Sequence, residues 1–481
     1  MNTPFFPAWR SRLAPSKKAS PPLAEQPLPQ LEALFAPFIP EQLLSRAGAN
    51  SRERFYTLRQ TFWAFLWQAL HPGTACREVV RQLLSDWQAQ AGRTRAQAGT
   101  AAYCRARQRL PLERLQAILQ ATLGPEPPRW RGHAVKLVDG TTFSLPDTAA
   151  NQKKFPQSGA QKPGCGFPTL KVVALFSLAS GLALNWARGS LRVHEIPLFR
   201  KLWSGLRRRD LIIGDRGFSS YTNLALLLGR GVDCLFRLHQ GKKVRHPRRS
   251  RLQRKQKLGP RQWLVQWKKP YQKPEYMRPK EWAAVPSEMQ VRVFEVIVCT
   301  RGMRTRKLML VTTLLDPVRY PVEELAELYL RRWEIELSFR DLKTTLGLEV
   351  LRCQSPAMVE KEVWMHLIAF NLLRRVMLQS AASGDSDVRH LSFKGALATV
   401  RQYCPAMAAA QTSHLRVQLI ERLREVIAQD VLPLRPGRRE PRAVKRRPKP
   451  YQMLNQPRHV FRELAHRGKY RKGKKCKLVK P

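Results

Sequence analysis

Acidic residues are scarce in this chain: 35 Asp and Glu stand against 86 Lys and Arg in 481 residues, a net charge of +51. A balance that far from neutral narrows the partners to a polyanion, either nucleic acid or an anionic membrane surface. Long apolar runs are lacking too. The longest, Val172 to Ala187, is too short to span a bilayer and is broken by Ser177, Ser180 and Gly181, so no membrane partner is expected. The first twenty residues have no apolar h-region, and no secretory signal is expected. The eight cysteines include no C-x-x-C pair. Zinc fingers and a disulfide framework are therefore disfavoured, and a reducing cytoplasm is the expected location. What remains is a chain 43% hydrophobic, long enough for two to four domains and at least one sizeable core.

Residues 1–30 are Pro-rich and read as a flexible arm. Residues 31–125 carry helical spacing, with Thr100 placed to cap a short helix ended by Pro111. Short helices with Arg105, Arg107 and Arg109 suit a helix-turn-helix-like reader of DNA ends. The texture changes near residue 133. Ala134 to Asp139 reads as a buried strand, Leu170–Leu178 and Leu182–Arg188 as a hairpin, Leu211–Asp215 as a fourth strand and Val232–Leu238 as a fifth. Three strands in hairpin order followed by strands alternating with helices predict an α/β fold with a mixed sheet, in the ribonuclease H-like order. Residues 133–239 are expected to form the first part of that core and 319–375 the last. Between them, 240–318 reads as a basic β-rich insertion. Fifteen Lys or Arg and one acid, Glu275, lie between Lys242 and Lys280, interleaved with Trp263, Trp267, Tyr271 and Tyr276. Helices follow over 376–434. A basic tail covers 435–481, with eighteen Lys or Arg against two Glu from Arg435 on; it is expected to order only on DNA.

The segment from Pro321 to Gly347 predicts a single long helix. Pro321 suits its first position, Glu323 and Glu324 suit its positive end, and Gly347 stops it. On an ideal wheel Tyr329, Arg332, Glu336 and Lys343 fall within about 60° of one another. They border the apolar stripe of Leu328, Ile335, Phe339, Leu342 and Leu346. Alone, such a stripe reads as a solvated face with an i,i+4 ion pair between Arg332 and Glu336.

Two upstream aspartates change that reading. Asp139 and Asp215 each follow an apolar strand and would project from the same sheet edge. With Glu336 they make three carboxylates on an otherwise basic protein. Clustered acids need neutralising, and hard divalent ions held by oxygen do this. Two Mg²⁺ ions, with Mn²⁺ as a substitute, would activate an attacking oxygen and stabilise a leaving one in phosphodiester chemistry. Arg332, Lys343 and Tyr329 would then hold the DNA backbone.

The spacing Y-x2-R-x3-E-x6-K over Tyr329, Arg332, Glu336 and Lys343 resembles the signature of bacterial insertion-sequence transposases of the fourth large insertion-sequence family. Val138-Asp139-Gly140-Thr141 and Asp215-Arg216-Gly217-Phe218 are similar to that family's two aspartate blocks. The basic stretch from Arg442 to Pro450 ahead of Tyr451 is similar as well. The resemblance covers about residues 95 to 460. It implies a DDE transposase with a ribonuclease H-like core. Such an enzyme cleaves at element ends and transfers the freed 3′-hydroxyl into target DNA, as a homodimer in a synaptic complex with double-stranded DNA. Trp333, beside Tyr329 on the wheel, could touch a flipped base or its backbone, or simply pack in the core. A catalytically silent DNA-binding derivative and a ribonuclease H-like nuclease remain as rival readings. His194 and Glu195 could be taken for a general-base pair, though a lone His reads rather as a structural hydrogen bonder; Asp147 and Asp341 are spare carboxylates, either of which replaces a chosen acid if the strand register differs.

Overall fold

The computed structural model describes residues 28–45, 55–91, 98–238, 252–298, 306–384 and 386–433, with 457 and 460. The expected arm over most of 1–30 and nearly all of the tail, including Arg442–Pro450 and Tyr451, lie outside the described residues.

Among the described residues nine strands form one mixed sheet in the order β3-β2-β1-β4-β5-β9-β8-β7-β6. β1 (Ala134–Ser144), β2 (Thr169–Ser177) and β3 (Ala183–Ser190) pair antiparallel, whereas β4 (Asp210–Gly214) and β5 (Asp233–Arg237) join β1 in parallel. The Ser180–Gly181 turn accounts for the hairpin, with Gly181 at φ +71°, a conformation that favours glycine. β6 (Leu252–Gly259), β7 (Gln262–Lys268), β8 (Glu288–Val298) and β9 (Arg306–Thr312) are all antiparallel, and β9 pairs with β5. The sequence pattern, which shows strand-like runs at Val291–Cys299 and Lys307–Leu314, anticipates only the last two of these four. β6 and β7 are rich in Lys, Arg and Gln, so their apolar alternation is thin.

Both faces of the sheet are covered over β1–β5, which explains the near-continuous apolar runs of β2 and β4. Side chains alternate across a strand. Leu170, Val172, Ala174 and Phe176 enter one core, together with Leu211 and Ile213. Val173, Leu175 and Ile212 enter the other. The first core is completed by the 28-residue helix Pro356–Ser383, which packs on the N-terminal helices Leu58–Leu70 and Leu112–Ala121. Each Val, Leu, Ile or Phe fully buried there stabilises the fold by about 1.5–3 kcal/mol relative to exposure. Thr57 caps Leu58–Leu70 by accepting the Gln60 N–H. Thr100, by contrast, stands at the cap of Ala101–Arg109 without a side-chain hydrogen bond. In that helix Arg105 and Arg109 are exposed, while Arg107 is buried against Gln68, Cys76 and the Phe65 and Tyr103 rings. Among the described residues no helix is long and apolar enough to cross a membrane.

The expected single helix from Pro321 to Gly347 is instead a composite. An α-helix spans Val322–Leu330, a 3-10 turn Arg331–Trp333, an α-helix Glu334–Arg340 and a π turn Asp341–Thr345. Gly347 does end it, at φ +72°, where a Cβ would lie 2.9 Å from Pro72 Cβ. The tightened and widened turns abandon the 100° step on which the wheel rests.

Candidate active site

In the parallel pairing of β1 with β4, Val138 stands beside Gly214. Asp139 and Asp215, one residue further along each chain, therefore leave the pairing as neighbours on strands roughly 4.8 Å apart. Gly214 permits the approach, since a Cβ there would lie 2.8 Å from Val138 Cγ1 and 3.1 Å from the Phe236 ring. β1 does not stop at Asp139, as the sequence pattern suggests, but runs on to Ser144 against β2. Only its β4 side is open beyond Val138, and the carboxylates sit at that opening.

Each aspartate is fixed by its own turn. Asp139 Oδ1 accepts the Gly140 N–H at 2.8 Å, and Asp215 Oδ1 accepts the Gly217 N–H at 2.7 Å. Burial pushes the Asp139 carboxyl up to about 6, against the opposing pull of the Gly140 N–H and Arg332, with Asp215 and Glu336 adding to the rise. A site that costs a carboxylate this much as an anion favours arrival of a cation.

The cation already present is Arg332. Its side chain is 11% exposed, with Nη1 at 3.5 Å from Asp139 Oδ2 and Nη2 donating to Glu336 Oε1 at 3.0 Å. Glu336, 42% exposed, thus reaches the aspartates through the guanidinium. Among the described residues no group of three or more His, Cys, Asp or Glu is placed to hold a metal ion. The structure brings Asp139 and Asp215 together and ties Glu336 to them by way of Arg332.

The other residues of the stripe do not share one exposed face. Tyr329 is buried, 5% exposed, and its hydroxyl is pushed up to about 12 by burial, with Arg332 and Arg237 pulling the other way. Trp333 is 52% exposed, which removes the core-packing alternative, and its ring lies 5.1 Å from the Arg332 guanidinium carbon. Lys343, in the π turn, holds its Nζ 5.5 Å from the centre of the Phe143 ring on β1. The π turn swings Lys343 back over the strand that carries Asp139; π turns recur at functional sites.

Of the set-aside carboxylates, Asp147 accepts from Gln152, and Asp341 is buried facing Arg340 and Arg374. Neither joins the aspartate pair. Glu195 does. It opens the helix Glu195–Lys201 after β3. A Cβ on Gly140 would lie 2.5 Å from its Oε1, and one on Gly217 would lie 3.7 Å from its Oε2. The signal in the sequence was slight: a Glu in the first turn of a short helix, ordinarily explained by the helix dipole.

The chain is similar to known transposases. The family model described as "Transposase DDE domain" matches residues 130–372. The chain is 28% identical over 433 residues to the transposase InsG for insertion sequence element IS4 of Escherichia coli (strain K12), covering 86% of this chain and 92% of that protein. A shorter match, 34% identical over 71 residues, is to the transposase for insertion sequence element IS421 of Escherichia coli, with 15% of this chain and 19% of that protein covered. Among solved structures, a piggyBac transposase synaptic complex with hairpin DNA superposes with a TM-score of 0.42 at 10% identity, over 84% of this chain and 86% of that one.

Proposed function

The chain belongs to the Transposase DDE domain family, and on that premise we propose that Asp139, Asp215 and Glu336 are its catalytic carboxylates. It is a DNA transposase, and the family carries out phosphodiester hydrolysis and transesterification with divalent metal ions. The observation that carries the site assignment is the meeting of Asp139 and Asp215 on adjacent parallel strands, with Glu336 joined to them by Arg332.

The aspartate pair fits a hard divalent ion. One oxygen of each is engaged by its own turn; the second of Asp215 faces the opening, the second of Asp139 becomes available as Arg332 moves off it, and Mg²⁺ needs only one or two protein carboxylates. We take the resident ions to be two Mg²⁺, replaceable by Mn²⁺. Bound there, such a pair supplies Lewis acidity to the attacking and leaving oxygens of an in-line displacement.

The chain's own residues do the rest. Arg332 holds Asp139 and Glu336 apart in the free protein. A DNA phosphate offers its guanidinium a bidentate partner, and moving to it releases Glu336 to the pair as the third ligand. Lys343 neutralises backbone charge from the π turn. Tyr329, buried and protonated at neutral pH, orients Arg332, and exposed Trp333 offers a face on which a base can stack. These contacts position DNA without reading its sequence.

The wider assignments follow the same reading. β3-β2-β1-β4-β5 is the ribonuclease H-like core over 133–239 and 319–375. β6–β9 are the insertion within 240–318. The helices of 31–125 bind element ends, those of 376–434 support the core, and the basic 435–481 tail adds affinity for DNA. The protein works on the bacterial nucleoid as a homodimer that pairs two element ends before strand transfer. The test is incubation with DNA bearing its own terminal repeats and Mg²⁺. Asp139→Ala, Asp215→Ala and Glu336→Ala should each bind that DNA yet neither nick nor join it; variants that react like the parent overturn the assignment.

A further inference from the structure

The three proposed acids leave a fourth unexplained. Glu195 lies on the far side of the aspartate pair from Arg332's helix, on the helix that follows β3. Its carboxylate spans both aspartate turns. Oε1 sits where a Cβ of Gly140 would come within 2.5 Å, and Oε2 sits 3.7 Å from where a Cβ of Gly217 would stand. A side chain at Gly140 would displace it, whereas one at Gly217 would only touch it, so the glycine after Asp139 makes room for this carboxylate. Gly140 is not held at positive φ, which leaves space rather than backbone conformation as the reason for glycine there.

A carboxylate so placed ordinarily finds a donor. Among the described residues Glu195 has no hydrogen bond and no ion pair. Of the two basic groups that act on it, Lys171 and His194, Lys171 donates its ammonium to the Leu191 and Val193 carbonyls at 3.1 and 2.7 Å instead. Three carboxylates, those of Asp139, Asp215 and Glu195, thus meet at one end of the β1–β4 opening, and of the three Asp139 is the one with an ion pair to a cation, Arg332. The arrangement lacks donors, and a divalent ion that keeps several of its waters brings donors with it.

Resting on the reading of Asp139 and Asp215 as metal ligands, we propose that Glu195 is a positioning residue of the metal site, accepting hydrogen bonds from the water shell of the divalent ion. It does not ligate. It fixes the orientation of waters on the ion held by the aspartates, as outer-shell partners do at other metal sites, where their loss costs 10–100-fold in affinity or activity.

The test uses the full chain without DNA and Mn²⁺ as the probe. Affinity is read by electron paramagnetic resonance, and the rigidity of the ion's water by the proton relaxation enhancement of bound Mn²⁺. Glu195→Gln keeps the size of the side chain and removes its charge; Glu195→Ala removes both. Each should weaken Mn²⁺ binding by about 10–100-fold, alter the relaxation enhancement per bound ion, and leave the melting temperature near that of the parent. Unchanged affinity in both variants overturns the proposal. So does weakened affinity with an unaltered enhancement, which would make Glu195 a generic contributor to local charge. Asp215→Ala separates this failure from that of the underlying reading. If it abolishes Mn²⁺ binding while the Glu195 variants bind normally, only the role of Glu195 falls. If it leaves binding intact, the metal site is misassigned and the role of Glu195 falls with it.

Discussion

Removing Arg332 should tighten metal binding while disabling the enzyme. The guanidinium stands between Asp139 and Glu336 at 3.5 and 3.0 Å, next to the position proposed for a divalent ion. A unit charge about 5 Å from a divalent one repels it by about 1.7 kcal/mol in bulk water and about 6.6 kcal/mol at an effective dielectric of 20. The Asp139 and Glu336 side chains are 20% and 42% exposed, so the low end applies, and about 2 kcal/mol is the working figure. Arg332→Ala should therefore bind Mn²⁺ about 30-fold more tightly without DNA. Arg332→Lys keeps the charge and should not. The same Ala variant should cleave and join element-end DNA far more slowly, because the phosphate has lost its bidentate donor. It should also lose about 1 kcal/mol of stability, since the bond to exposed Glu336 is worth only a few tenths and most of the loss falls on Asp139. Titration of Mn²⁺ into the three proteins by electron paramagnetic resonance decides the matter. Equal or weaker Mn²⁺ binding by Arg332→Ala refutes the idea that Arg332 occupies the cation's place.

Lys343→Ala should weaken DNA binding to a similar extent for all sequences and reduce the slope of log affinity against log salt by about 0.9, measured by fluorescence anisotropy across a salt series. Lys136→Met should destabilise the protein by about 3–5 kcal/mol in urea unfolding, because Lys136 Nζ meets Asp210 Oδ2 at 2.5 Å and the Asp210 side chain is only 4% exposed; a loss below about 1 kcal/mol would mean water replaces the ammonium. The Asp387 carboxyl is held down to about 2, first by its hydrogen bond from Arg389. Its folded value is lower than its unfolded one, so its contribution is complete above about pH 4 and fades as the pH falls through about 2. Being a third exposed, it should contribute under about 1 kcal/mol, and Asp387→Asn should match the parent in melting temperature at pH 2 but fall below it at pH 6.

The first five strands were legible because they obey a simple rule. Buried on both faces, β2 and β4 show unbroken apolar runs, and the Ser180–Gly181 turn separates the hairpin strands. The four later strands were harder for the opposite reason. β6 lies at the sheet edge with Arg254, Lys255, Gln256 and Lys257 all exposed, so half of it has no apolar signal to give. Edge strands carry charge to discourage pairing with other chains, and this hides them from a reading based on hydrophobic alternation. That β9 would pair with β5, making the later strands an extension of the core sheet, is a long-range fact with no local signature.

The spacing picks out candidate residues but not their geometry, and the reason lies in the helix. A wheel assumes a constant 100° step; the 3-10 turn at Arg331–Trp333 tightens it and the π turn at Asp341–Thr345 widens it. Tyr329 is consequently turned into the core and Trp333 out to solvent, a division the ideal wheel does not draw. The irregularities also let one segment serve two ends. Arg332 and Glu336 stay at the β1–β4 opening, while Lys343 is returned to Phe143, four residues beyond Asp139 on the same strand. A regular helix packed on β1 would have offered its side chains at a fixed pitch unrelated to the strand's own. The broken one brings a cation to each end of a short stretch of β1. That stretch is flanked by Asp139 at one end and unpaired on its β4 side until Ser144 meets Val350, and on the reading proposed above the two cations hold backbone phosphates on either side of the reacting one.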